Sequence, residues 1–144
     1  MTQATFNPDH WHVESVRVRY ADTDRMGVVY HANYLVFFET CRSSLIRELY
    51  KSYLDIEADG YLLVVIEAGC HYRKSSDYED VLNIYGRVSY FTETRIRFDY
   101  KAINRETNEL IAEGFTEHCF KNQKGKPCRM PRDLFAILTE REIL

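Results

Sequence analysis

The sequence predicts an α+β protein in which one long helix is wrapped by a five-stranded antiparallel sheet. Three observations support this: a mainly alternating segment comes first, a strongly amphipathic segment follows, and four segments rich in β-branched and aromatic residues come last. Strands that follow one another without intervening helices favour an antiparallel sheet over βαβ units. We expect the sheet to curve around the helix, because the chain offers no other layer to cover it.

The first strand is predicted near residues 13–20, where apolar side chains mostly alternate with charged ones. It ends at Asp22-Thr23-Asp24, where short polar side chains compete with the strand for backbone hydrogen bonds. From Tyr34 to Leu49 apolar residues recur with the i, i+3, i+4, i+7 spacing of one helix face. This predicts a helix of about 16 residues, with Asn33 as its candidate N-cap and His31 as an alternative boundary.

The second half of the chain changes from helical to strand periodicity after Gly60. We predict strands at 62–72, 81–91, 95–103 and 110–120, which are rich in Val, Ile, Tyr, Phe and Thr. A short closing helix is predicted over 131–137, with a proline near its start. One curved sheet leaves a face and an edge uncovered, so we expect a homodimer or, more strongly, a homotetramer.

Length and composition set the limits on organisation. The chain has 144 residues, 45% of them hydrophobic and 28% charged, with only 6 Gly and 3 Pro, which excludes a disordered or linker-dominated protein. We predict a single domain over 1–144, with residues 1–12 as a loose arm.

Charge, hydropathy and cysteine spacing exclude several classes of function. The net charge of −3 gives no general field for nucleic acid, and no apolar run approaches the ~18 residues that span a bilayer. The amino terminus lacks the pattern of a signal peptide, so a soluble cytoplasmic protein is expected. The four cysteines form no Cys-x-x-Cys pair, and we expect free thiols and no metal site.

The segment from Tyr20 to Tyr34, between the first strand and the long helix, carries the candidate chemistry. Asp24 is suited to act as a nucleophile or general base, and His31 to polarise a carbonyl or transfer a proton. Backbone N–H groups around His31 would point from the helix start towards a developing oxyanion. The alternative interpretation is structural: Asp-Thr-Asp before a helix is common turn and capping chemistry, and a single histidine is often structural.

The same segment and the start of the predicted helix contain Tyr20, Asp22-Thr23-Asp24, Gly27, Val28-Val29-Tyr30-His31, Asn33-Tyr34 and Phe38-Glu39. With these residues the chain resembles the active-site signature of the 4-hydroxybenzoyl-CoA thioesterase branch of the hotdog fold. The closest likeness is to bacterial acyl-CoA thioesterases of the Tol-Pal-associated type, and it extends over about residues 14–137. One departure is Arg25-Met26, where many relatives carry small residues.

The resemblance implies a thioester hydrolase that releases a free acid and CoA from a small acyl- or aryl-CoA. It implies that Asp24 is the catalytic carboxylate, as nucleophile or general base, and that the backbone N–H of His31 polarises the thioester carbonyl. It also implies a dimer with a continuous sheet, often stacked as a tetramer. A thioester has a stable thiolate leaving group, so no metal or redox cofactor is expected.

Coenzyme A carries phosphates, which require basic groups near the acyl tunnel. The candidates are Arg73, Lys74 and Arg129, with Lys126 and Arg132 as further members of the same basic segments; for each, a solvated loop is the alternative. Tyr30 and Tyr34 are candidate pocket walls but could equally be core. A non-catalytic module that binds acyl-CoA or an acyl carrier on the same fold is the second functional hypothesis.

Overall fold

The computed structural model describes residues 6–141. Within that range the chain forms three α-helices and six strands, with short 3₁₀ turns at Pro8–His10 and Tyr20–Asp22. The helices are α1 (Asn33–Leu49), α2 (Tyr53–Ala58) and α3 (Arg132–Glu140). The strands are β1 (His12–Arg17), β2 (Leu62–Tyr72), β3 (Val81–Phe91), β4 (Arg95–Asn104), β5 (Leu110–Lys121) and β6 (Pro127–Cys128).

The strands form one antiparallel sheet in the order β1-β3-β4-β5-β2, and the two-residue β6 adds to the end of β5. The inward-facing side chains of β3, β4 and β5 are buried with the apolar face of α1. At the centre, the Phe38 ring of the helix stacks on Tyr100 of β4, with centroids 4.6 Å apart. The α+β arrangement of one long helix against an antiparallel sheet is therefore confirmed.

The predicted bounds of the long elements are close to the observed ones, whereas the short elements differ. No local pattern predicted α2 or β6, and the closing helix runs to Glu140, further than predicted. The N-cap of α1 is Ala32 rather than Asn33. Asn33 is already inside the helix, where its side-chain amide donates to the Asp22 carbonyl oxygen at 2.9 Å.

The expectation of a loose arm over residues 1–12 is wrong for its described part. The Phe6 ring meets Trp11 and Tyr85 edge to face, with centroids 5.3 and 5.2 Å apart. The Arg87 guanidinium lies 4.5 Å from the centroid of the Trp11 ring, and His12 already belongs to β1. Aromatic contacts thus hold this segment on the sheet; residues 1–5 lie outside the described residues.

Across residues 6–141, no helix combines the length and apolar character needed to cross a membrane.

Close packing of α1 on the sheet depends on a glycine in β5. A Cβ built on Gly114 would lie 2.3 Å from the backbone oxygen of Gly69 and 2.9 Å from the Phe38 ring. Both distances are far below van der Waals contact, so a larger residue would push β2 or the helix away. The position of the helix start relative to β2 therefore requires glycine at 114.

We predict that Gly114→Ala lowers the free energy of unfolding by about 1–3 kcal/mol, the usual cost of overpacking a core. Urea denaturation measures this directly. The matched control is Gly69→Ala in the adjacent strand, because the three atoms nearest to its added Cβ all belong to the half-buried Phe115 side chain and none to the backbone. Equal losses for the two variants would contradict the proposed close approach at Gly114.

Candidate active site

Asp24 lies in a tight turn between β1 and α1. The Asp24 N–H donates to Val28 O at 2.9 Å, and the Gly27 N–H donates to Asp24 O at 3.0 Å. Gly27 has a φ of 80°, a left-handed conformation that a glycine adopts without strain. The Asp24 Oδ1 atom accepts the Met26 N–H at 2.8 Å. The turn interpretation is therefore confirmed for one carboxylate oxygen, and Asp24 is still partly exposed to solvent.

Asp22, two residues earlier, is a buried structural carboxylate. Its Oδ1 accepts from the Arg19 guanidinium at 2.9 Å, and its Oδ2 accepts the Arg19 N–H at 2.9 Å. Burial opposes ionisation of Asp22, but the hydrogen bonds and charge of Arg19 outweigh it and hold the pKa of this carboxyl below its usual value. The Asp22 carbonyl oxygen also accepts the Tyr30 N–H and the Asn33 side-chain amide, both at 2.9 Å.

His31 stands directly before the N-cap of α1. Its carbonyl oxygen accepts the Tyr34 N–H at 3.3 Å and the Tyr72 hydroxyl at 3.1 Å. Its own N–H has no protein acceptor within residues 6–141. The His31 ring is exposed and lies against Tyr30 and Tyr72, with centroids 4.5 and 6.0 Å away. An unpaired N–H at a helix start is the type of donor that stabilises an oxyanion.

A small cleft of about 290 Å³ opens beside this N–H. It brings together His31, Tyr34, Arg73 and Lys74, four of the residues predicted from the sequence. Tyr34 is buried, and this burial raises the pKa of its hydroxyl. Asp24 does not line the cleft. Its neighbour Thr23 pairs with Val29, and Val29 does line the cleft, so the Asp24 turn adjoins it. Tyr30 lies outside the lining and is 46% exposed.

Tyr72, which was not among the predicted site residues, contributes to the cleft. Its hydroxyl fixes the His31 carbonyl, and its ring meets Tyr34 with centroids 5.7 Å apart. The available signal was its position at the end of a predicted strand, directly before Arg73-Lys74. Because strand ends often carry functional side chains, the position alone could have marked it.

The predicted phosphate-binding cations fall into two groups. Arg73 pairs with Glu113 at 3.2 Å and Lys74 with Glu109, an ion pair that also holds the Glu109 pKa below its usual value. Both cations line the cleft. Exposed ion pairs of this type contribute little because solvent screens the two charges, so a phosphate can compete with either glutamate.

Arg129 is not brought to the cleft within one chain. It pairs with Glu93 at 3.2 Å and follows β6, which is bonded to β5 at Phe120. The Arg73 N–H instead bonds to Ile111 O, near the other end of β5. Nine residues of extended strand separate these two points, roughly 30 Å.

Comparison with known proteins decides the family. Residues 18–138 match the thioesterase-like superfamily. The chain belongs to the thioesterase-like superfamily. Its fold is the hotdog fold, as the resemblance of the sequence implied. The matched range contains the Asp24 turn, the His31 helix start and the cleft beside that helix start.

Relatives in the superfamily include two bacterial proteins of similar length. The putative acyl-CoA thioesterase YneP of Bacillus subtilis is 33% identical over 119 residues, which cover 82% of this chain and 86% of that protein. The acyl-CoA thioester hydrolase YbgC of Escherichia coli is 31% identical over 121 residues, covering 84% and 90%. Among solved structures, the DHNA-CoA thioesterase of Staphylococcus aureus superposes with a TM-score of 0.87, at 31% identity and covering 92% and 91% of the two chains.

We predict that Asp22→Asn destabilises the protein at neutral pH but not in acid. The pKa of Asp22 is lowered in the folded state, so its stabilisation is complete above the unfolded value of about 3.9 and is lost as the pH falls through the folded pKa. Urea unfolding of both proteins at pH 7 and pH 3 tests this. An equally large difference at both pH values would show that the carboxylate charge is not what holds the turn.

Proposed function

We propose that this protein hydrolyses acyl-CoA thioesters, with Asp24 as the catalytic carboxylate. The observation that carries the proposal is the unpaired His31 N–H at the start of α1, beside a cleft and next to the Asp24 turn. The relatives named as acyl-CoA thioesterase, acyl-CoA thioester hydrolase and DHNA-CoA thioesterase support the substrate class.

The mechanism assigns separate tasks to these groups. A thioester carbonyl oxygen placed at the His31 N–H gains negative charge as the carbonyl carbon is attacked, and the N–H and the helix start stabilise it. A single donor of this type is worth about 3–4 kcal/mol. Asp24 either attacks the carbon through its carboxylate or takes a proton from the attacking water. Direct attack breaks the carbon–sulfur bond, so CoA leaves as a thiolate and an acyl-Asp24 anhydride remains, which water then hydrolyses to the free acid. When Asp24 instead activates water, CoA again leaves as a thiolate and the free acid forms directly.

The acyl group is proposed to be small or aromatic. The cleft holds about 290 Å³ and is walled by the rings of Tyr34 and Tyr72, which suit a short aliphatic chain or a planar ring. Within the superfamily, we place the protein in the 4-hydroxybenzoyl-CoA branch and nearest the Tol-Pal-associated type, on the Asp24–His31 signature.

A homodimer is proposed to complete the site. β2 is an edge strand of the sheet, and Val65, Ile66 and Tyr72 on it are each more than 40% exposed. Antiparallel pairing of two β2 edges would satisfy their free backbone groups and cover these side chains. Two-fold pairing would also set the Leu62 end of one copy beside the Tyr72 end of the other. Arg129 of the second copy would then approach Arg73 and Lys74, where CoA phosphates are expected.

We expect Asp24→Asn to lower kcat for acyl-CoA hydrolysis by at least about 100-fold, because the amide keeps the volume but loses the charge and basicity. His31→Ala is expected to cost less, since the backbone N–H survives the change. A thiol-release assay over a series of aliphatic and aromatic acyl-CoA esters measures both variants.

The matched control is Asp22→Asn, which removes a carboxylate two residues away that is already bonded to Arg19. Its kcat should fall far less than that of Asp24→Asn. Comparable losses at the two positions would contradict the role of Asp24. Tight binding of acyl-CoA without any turnover by the wild-type protein would support a non-catalytic binding module instead.

The dimer prediction is tested at the exposed edge of the sheet. Ile66→Glu in β2 should shift the protein towards monomer in sedimentation velocity and lower its activity in parallel, because a charge would be buried in the edge pairing. Val13→Glu, on the other edge strand β1 and 45% exposed, is the matched control and should leave the β2 pairing intact. A fully active wild-type monomer would contradict both the dimer and the shared site.

A further inference from the structure

A serine, a histidine and a glutamate form a hydrogen-bonded chain on the side of α1 that meets β1. The Nε2 atom of His12 lies 2.8 Å from the Ser44 hydroxyl oxygen. The Nδ1 atom of the same ring lies 3.1 Å from a Glu48 carboxylate oxygen. Ser44 and Glu48 are four residues apart in α1 and so share one helix face, while His12 is the first residue of β1.

The order of these groups is that of an activated serine. A carboxylate on Nδ1 favours the tautomer that carries its proton there, which leaves the Nε2 lone pair facing the serine hydroxyl. The His12 side chain is only 18% exposed, so its ring is held by its surroundings. Ser44 is therefore placed to pass its proton to His12 when its oxygen attacks an electrophile.

Ser44 also borders a groove of about 370 Å³ on the outside of the helix. Arg47, one turn further along α1, lines the same groove and makes no ion pair within residues 6–141. Since the Ser44 amide lies inside the helix, an oxyanion at this place would have to be stabilised by side chains. The Arg47 guanidinium is the charged donor that the lining supplies.

We propose that Ser44 is the nucleophile of a second hydrolytic site, which takes small neutral carboxylic esters. The Ser44 oxygen forms a bond to the ester carbonyl carbon and its proton goes to His12 Nε2. The alcohol leaves with that proton when the carbon–oxygen bond of the ester breaks, and an acyl-serine remains. Water then attacks the acyl-serine, gives its proton to His12, and the acid leaves as Ser44 recovers its proton.

Two features favour a neutral ester over an anionic thioester here. Glu14 and Glu39 border the groove and would repel the phosphates of CoA, whereas a small uncharged ester meets no such penalty. The site is also separate from the Asp24 cleft, because Ser44 is 13 residues beyond His31 along the helix, roughly 20 Å. The proposal thus does not depend on acyl-CoA hydrolysis.

The test uses a fluorophosphonate probe and p-nitrophenyl acetate on the full-length protein, in an Asp24→Asn background that removes the proposed thioesterase chemistry. We expect the probe to add one equivalent at Ser44, seen by peptide mass spectrometry. Ser44→Ala and His12→Gln should each lower the labelling rate and the rate of p-nitrophenyl acetate hydrolysis by at least 10-fold.

Ser43→Ala is the matched control, because this serine lines the same groove but has no hydrogen bond to a histidine. Its labelling should stay within about 3-fold of the parent. Labelling and hydrolysis that survive Ser44→Ala or His12→Gln in folded protein, or that fall equally in Ser43→Ala, would overturn the proposal. Circular dichroism confirms the fold of each variant, and acyl-CoA hydrolysis by Ser44→Ala with Asp24 present should equal that of the wild type.

Discussion

The site depends on the way Asp22 ties the end of the first strand to the start of the long helix. Its carboxylate is held by Arg19, and its carbonyl oxygen accepts the Tyr30 N–H and the Asn33 side-chain amide. These bonds fix both ends of the segment between them. The turn that carries Asp24 and the helix start that carries the His31 N–H, which the proposed chemistry uses together, are consequently tied to one another.

Packing of the helix on the sheet gives the second constraint. Phe38 stacks on Tyr100 and lies over Gly114, so the first turns of α1 are pressed against the strands. The helix start is thereby positioned relative to β2, whose last residue, Tyr72, bonds to the His31 carbonyl. The His31 N–H belongs to the peptide group of the Tyr30 carbonyl, and that carbonyl accepts the Asn33 N–H at 2.9 Å. The peptide is therefore held in place while its N–H is left for another acceptor, as an oxyanion donor requires.

The sequence predicted the long elements because their periodicity comes directly from burial. The alternation in β4 and the helical spacing after Tyr34 both record which side chains face the core. The elements that it missed are held by tertiary contacts instead: β6 has two residues paired with β5, and Phe6 is fixed by aromatic rings distant in sequence. Such contacts leave no local pattern.

The site was predictable in part for a similar reason. The Asp24–His31 segment is contiguous, so its motif is visible in the sequence, and the structure brings His31, Tyr34, Arg73 and Lys74 to one cleft. Ser44, His12 and Glu48 come from two separate elements, and their hydrogen-bonded chain could be found only once the fold was known. For Arg129 the sequence was misleading. Its positive charge suggested a position beside the cleft, but within one chain β6 holds it near the opposite end of β5.

The central claim is that the His31 N–H and Asp24 act on the same thioester carbonyl. A crystal structure with a non-hydrolysable ketone analogue of an acyl-CoA tests it most directly. The account predicts that the ketone oxygen lies about 2.7–3.1 Å from the His31 backbone nitrogen, with the Asp24 carboxylate facing the carbonyl carbon directly or through one water. A ketone bound elsewhere, or bound in the cleft with its oxygen turned away from His31, would contradict it.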